Sequence, residues 1–160
     1  MQDLVPIAEQ IAARLIERRQ TIAVAESSTG GLISAALLAV PGASAYFLGG
    51  AVVYTRDARR VLMDISDDGM KGFRSSSEPY AQLLAEQMRG RFNSDWGLSE
   101  TGATGPTGNR YGDAAGHSCM AVSGPAAEVI TLETGSNDRF ANMQVFAATA
   151  LNFLLQTLSH

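Results

Sequence analysis

The chain has 160 residues, 46% of them hydrophobic, which suits one globular domain with a real core. Its formal net charge of −4 argues against broad, sequence-independent nucleic-acid binding, which needs a basic surface. The single cysteine, Cys119, excludes an internal disulfide and a thiolate zinc cluster, and no apolar run reaches the ~18 residues of a membrane span.

Residues 3–20 predict an amphipathic helix, with Leu4, Ile7, Ile11, Leu15 and Ile16 near one face and Arg14, Arg18 and Arg19 at its C-terminal end. The opening "MQDLVPIAEQ" has acidic residues and no long apolar core, so it is no secretory signal, and a soluble cytoplasmic protein is expected. "TIAVA" is a short buried strand. "TGGLISAALLAV" (29–40) predicts a helix that stops at Pro41-Gly42. "YFLGGAVVYT" (46–55) is a strand whose glycine pair marks a bulge or a close backbone approach. "RDARRVLM" is a short helix, and "SEPYAQLLAEQMRGRF" a longer one capped by Ser77. "DWGLSE", "HSCMAVSG" and "AEVITLET" are strands, the last two a hairpin through Gly124-Pro125. A final helix runs from about Asp138 to Leu158, where "LNFLLQTL" suits either core or a subunit contact. The alternation predicts an α/β fold: a three-layer α/β/α sandwich with a mostly parallel mixed sheet.

Two stretches point to a site. "AESSTGG" (25–31) follows the first strand and opens a helix, so Ser27, Ser28, Thr29, Gly30 and Gly31 suit either a helix cap or a phosphate or carboxylate ligand. "TGATGPTGNRYGDAAG" (101–116) is a long loop whose five glycines let backbone N–H groups approach a ligand. Both follow strands and are expected at the carboxyl edge of the sheet, where α/β proteins bind ligands. Neither is a Walker loop or a dinucleotide fingerprint. Glu26 and Glu100 each end a strand, which places them either in one cavity or as solvated or N–H-bonded carboxylates. His117, the one internal histidine, reads as structural, and no cluster has metal-ligand spacing. No cofactor is expected.

The combination of motifs resembles the CinA C-terminal domain family, which includes nicotinamide mononucleotide deamidases. The family pattern A-E-S-C/S-T-G-G is matched by Glu26 to Gly31, P-G-S-S-x-x-F by Gly42, Ser44 and Phe47, and G-x-x-x-Y by Gly50 and Tyr54. "SSEP" at 76–79, "GATGPTG" at 102–108 and "NDR" at 137–139 resemble further family segments, so the resemblance covers essentially the whole chain. It implies a single-domain, stand-alone form that hydrolyses the carboxamide of nicotinamide mononucleotide to the carboxylate and ammonia. It also implies a homo-oligomer whose partner is a small nucleotide or phosphorylated ligand, with no nucleic acid and no membrane. By resemblance Ser44 is the nucleophile, with Glu26, Glu100 or Tyr54 left to help with proton transfer, while Gly102, Thr104, Gly105 and Arg139 join the turn in binding substrate. The family's Y-x-x-x-x-K lysine is replaced by Arg59, and the only lysine, Lys71, falls at no motif position. Arginine keeps its charge and cannot serve as a base. The resemblance therefore carries a second reading, a catalytically silent paralogue that still binds its ligand.

Overall fold

A computed structural model describes residues 1–160. In chain order the elements are α1 (Val5–Arg18), β1 (Ile22–Glu26), α2 (Leu32–Leu38), β2 (Phe47–Val52), α3 (Arg56–Met63), α4 (Glu78–Phe92), β3 (Trp96–Ala103), β4 (His117–Ser123), β5 (Glu128–Glu133) and α5 (Arg139–Leu158). The strands form one sheet in the order β2-β1-β3-β4-β5. β1 is parallel to both β2 and β3, and β4 is antiparallel to both β3 and β5. Four strands thus point one way and β4 the other. No helix is long and apolar enough to cross a membrane.

The two-residue period of the strands decides what each face buries. Ile22 and Val24, Trp96 and Leu98, and Met120 and Val122 meet α1, α2 and α5 in the larger core. There Phe146, Leu151, Leu154 and Leu158 of α5 are fully buried, so the apolar C-terminal segment is core. The alternate positions are small. Ala23 and Ala25 pack with Val53, Met63, Tyr80, Leu84 and Met88, while Cys119 and Ala121 meet Ala81 and Ala85 of α4. Small residues let α4 lie close to the sheet. A Cβ on Gly97 would sit 2.3 Å from the Ala85 carbonyl, a distance no side chain tolerates.

Two local expectations change. α2 begins at Leu32 instead of residue 29, because Gly30 and Gly31 have φ of +66° and +105° and belong to the turn. β3 continues through Thr101, Gly102 and Ala103, which pair with Cys119, Ser118 and His117, so the glycine-rich loop starts at Thr104. The glycine pair of β2 is both a register shift and a close approach, as expected: Ile22 pairs with Phe47 but Ala23 with Gly49, a Cβ on Gly49 would meet the Phe92 ring at 2.6 Å, and one on Gly50 the Ser34 hydroxyl at 2.4 Å.

Candidate functional site

The parallel strands β1, β2 and β3 end at one edge of the sheet, and so do the start of β4 and the end of β5. The quoted turn and the glycine-rich loop therefore share that edge, as the sequence predicts. The sheet divides the edge into two sides.

On the α2 side stand Glu26 and Glu100, both fully buried. Glu26 continues the inward series of Ile22 and Val24. Its Oε1 accepts the Thr29 hydroxyl at 2.7 Å and the Gly31 and Ile33 amides at 2.8 and 3.2 Å. Its Oε2 accepts the Ser34 amide at 2.9 Å and the Ser34 hydroxyl at 2.7 Å. These are the orphan donors of the first turn of α2, met by a carboxylate where the helix dipole favours one. Glu100 does the same for the turn itself. Its Oε1 accepts the Ser27 and Thr29 amides, with the Thr29 hydroxyl oxygen 3.0 Å away, and its Oε2 meets the Ser28 and Ser118 hydroxyls. Burial pushes the Glu100 carboxyl above its ordinary pKa, and the hydrogen bonds only partly oppose that rise.

The structure thus takes the turn's donors away from any ligand. Ser28 and Thr29 are buried against Glu100, and Gly31 is bound to Glu26. Gly30 faces Met143, whose methyl would lie 3.0 Å from an added Cβ. Glu26 and Glu100 do not face the cavity described next. They are the N–H-bonded pair that the sequence left as one alternative.

On the α3–α4 side the same edge opens into a cavity of about 780 Å³. Ser27 enters from the turn, Tyr54 and Thr55 from the end of β2, Arg56 and Arg59 from α3, and Tyr80 from α4. Residues 73–76 form one wall, and Thr101, Gly102, Asn109, Arg110 and Tyr111 another. The Ser27 amide is pinned to Glu100 at 3.1 Å, which fixes the backbone, while its hydroxyl stays free of intramolecular bonds.

Four arginines and one carboxylate, Asp67, line this cavity. Arg59 is nine-tenths buried. Its guanidinium donates to the Ile65 carbonyl at 3.3 Å and to Asp67 at 2.6 Å. Arg74 is paired with Asp113 of the glycine-rich loop at 2.7 Å. That contact holds the Asp113 carboxyl below the usual carboxylate range. Arg56 and Arg110 form no salt bridge. Arg110 donates to the Tyr111 hydroxyl and lies 5.1 Å from the centre of its ring. Arg110 also lowers the pKa of that phenol. Two cations are left to meet an anion.

Ser44 is elsewhere. It sits in a short 3-10 turn, Ala43–Ala45, before β2. Phe47 pairs with Ile22, the first residue of β1, and Val52 with Glu26, the last. Ser44 is therefore at the opposite edge of the sheet from Tyr54 and Arg59, with roughly 20 Å of strand between them. The fold brings Ser27 to Tyr54 and Arg59, in a cavity that Thr55, Ser75, Ser76 and Thr101 also line. The "AESSTGG" motif held Ser27, but only the strand register shows which serine points to which side.

The remaining expected ligand contacts brace the loop. Arg139 donates to the Gly105 carbonyl at 2.5 Å and to the Tyr54 hydroxyl at 3.1 Å. The Thr104 carbonyl accepts from Asn142 at 2.9 Å. Only Gly102 of that loop segment lines the cavity. Asn109, Arg110 and Tyr111 line it as well, inside the glycine-rich stretch 101–116 that the sequence singles out. Arg56 and Arg74 also line it and stand in no motif.

This α/β fold, with its Glu-capped turn and glycine-rich loop at one sheet edge, is that of the CinA C-terminal domain, whose family model matches residues 4–158. The chain belongs to that family. It is 41% identical over 119 residues to a CinA-like protein of Gloeobacter violaceus, covering 74% of this chain and 28% of that one. A CinA-like protein of Desulforapulum autotrophicum is 33% identical over 148 residues, covering 91% and 35%. The chain thus spans about a third of the length of these curated relatives. Among solved structures, a competence-damaged protein (CinA) superfamily protein of Escherichia coli superposes with a TM-score of 0.90 at 25% identity, over 98% of this chain and 91% of that one. The competence/damage inducible protein CihA of Agrobacterium tumefaciens gives 0.87 at 27%, over 99% and 96%.

Proposed function

We propose that the cavity binds nicotinamide mononucleotide, with Arg56 and Arg110 drawing in the phosphate, and that hydrolysis of the carboxamide is the reaction this architecture serves. The observation that carries the reading is the Ser27 hydroxyl. It is uncommitted, set on a backbone fixed by Glu100, and opens into the same cavity as Tyr54 and Arg59. In the reaction Ser27 Oγ bonds to the amide carbon, the C–N bond breaks, and nitrogen leaves as ammonia with the proton given up by the Ser27 hydroxyl. Water then splits the ester to the carboxylate and restores the alcohol. Arg59 supplies fixed positive charge for the oxyanion.

A second reading, binding without turnover, is favoured by one observation: no uncommitted base lines the cavity. Asp67 is held by Arg59, and the oxygens of Glu26 and Glu100 are filled with donors on the other side of the sheet. General-base help is worth roughly 10²–10⁴-fold. The deciding experiment measures ammonia release and calorimetric binding of nicotinamide mononucleotide by the natural protein and by Arg59→Lys. Release by the natural protein supports hydrolysis. Binding without release, with release gained in Arg59→Lys, supports the silent paralogue. Neither binding nor release in both proteins rejects the two readings together.

A further inference from the structure

His117 opens β4 with its ring nearly buried, outside the constellation described above. Each ring nitrogen faces an oxygen. Nδ1 lies 2.5 Å from Glu133 Oε1 on β5, and Nε2 lies 2.7 Å from the Ser76 carbonyl. A carbonyl accepts only, and the Glu133 side chain, 57% exposed, offers a carboxylate. A neutral imidazole has one N–H, so it satisfies one oxygen and turns a lone pair on the other. The imidazolium donates to both.

The surroundings favour that charge. Asp113 of the glycine-rich loop places Oδ2 3.6 Å from Nε2 and is itself bound by Arg74 and Asn109. The Cys119 thiol is 3.7 Å from Nε2, and burial keeps it in its neutral form by raising its pKa. Glu78 of α4 reaches this group only through Thr131, whose hydroxyl meets Cys119 Sγ at 3.4 Å. Burial depresses the ring's pKa, but the bonds to Glu133 and Ser76 and the charges of Asp113 and Glu133 outweigh it. The value stands above the ordinary 6.5.

Ser76 is the point where this matters. It holds φ of +56° without being glycine, a conformation that persists only where its surroundings fix it. Its amide donates to the Thr101 hydroxyl at 3.1 Å, and its carbonyl is held by His117. Phe73, Arg74, Ser75 and Ser76 are a wall of the cavity. We propose that His117 is a positioning residue: its imidazolium, anchored on β4 and bonded to Glu133 of β5, holds the Ser76 turn and so sets the wall against which the ligand binds. The affinity half of this rests on the nucleotide reading above, whereas the ring's protonation and the turn's rigidity are measurable with no ligand present. Because the folded-state pKa is raised, the clamp is complete below about 6.5 and is lost as pH rises through the higher folded value.

The chain has only two histidines, so a ¹⁵N-labelled His160→Gln protein gives a single ring spectrum. The expected result is a ring that carries protons on both nitrogens below its midpoint, with that midpoint above 6.5. The Ser76 amide should lose about tenfold of its hydrogen-exchange protection when pH rises past that midpoint, and the same amount at low pH in His117→Gln. The calorimetric affinity for nicotinamide mononucleotide should fall about tenfold over the same pH range in the natural protein and stay flat in His117→Gln. A midpoint at or below 6.5 overturns the clamp, as does Ser76 protection indifferent to both pH and substitution. If His117→Gln fails to fold, the titration and exchange of the natural protein decide the matter. Absence of nucleotide binding at every pH overturns the nucleotide reading and the affinity half, while the ring and exchange results still decide the clamp.

Discussion

The two sides of the sheet's carboxyl edge use the same kinds of residue to opposite ends. On the α2 side, hydroxyls and free amides of a glycine-containing turn converge on two buried carboxylates, and nothing is left over. On the α3–α4 side, arginines outnumber carboxylates and the Ser27 hydroxyl stays free. A turn rich in donors is therefore not by itself an anion site. What matters is whether the chain supplies its own acceptors, and here Glu26 and Glu100 do so one strand apart.

The sharpest way to break this contrast is to remove the alcohol on the open side. Ser27→Ala should cut ammonia release by roughly 10³-fold or more and leave nucleotide affinity within a few-fold. Ser44→Ala should change neither, and a loss of turnover there would return the nucleophile to the far edge.

On the closed side the largest effect is expected at Glu26. Both its oxygens face backbone N–H groups, so in Glu26→Gln the new NH₂ opposes a donor in either orientation. Urea unfolding should show a loss of about 3 kcal/mol. A loss below 1 kcal/mol would mean that α2 does not depend on this cap.

A smaller effect belongs to the rim. Arg56→Ala and Arg110→Ala should each weaken nucleotide binding about tenfold and flatten its salt dependence, since neither arginine has a carboxylate to release. Calorimetry at two ionic strengths reads both.

The smallest effect is expected at Glu100, where Glu100→Gln should cost less than about 1 kcal/mol. Its Oε2 meets only hydroxyls, those of Ser28 and Ser118, and these can turn to accept from an amide. The pH dependence sharpens the test. With its folded pKa raised, the native state holds the proton longer than the unfolded chain does. Stability should therefore fall as pH rises from the ordinary carboxylate pKa to the folded one. That slope should vanish in Glu100→Gln.

Much of the fold was legible because its signals are local. Apolar periodicity marked α1 and α5, Ser77 does cap α4 by accepting the Tyr80 amide, and Gly124-Pro125 does join an antiparallel pair. The site was less legible because its logic is not local. Residues 26 and 100 are coupled through strand order, and residue parity alone sends Glu100 to one face and Thr101 to the other. Ser27 and Ser44 look alike as serines in motifs. Only the parallel register of β1 and β2 places them at opposite edges.

The two buried carboxylates also bear on how quickly a ligand arrives. A turn stitched by its own chain is already in its final shape when the cavity is empty, so docking there demands no rearrangement and no loss of backbone freedom. On the opposite wall, residues 73–76 and the glycine-rich loop meet through the Arg74–Asp113 ion pair and the stacking of Arg74 over the Tyr111 ring at 5.2 Å, so any rearrangement on binding is expected there.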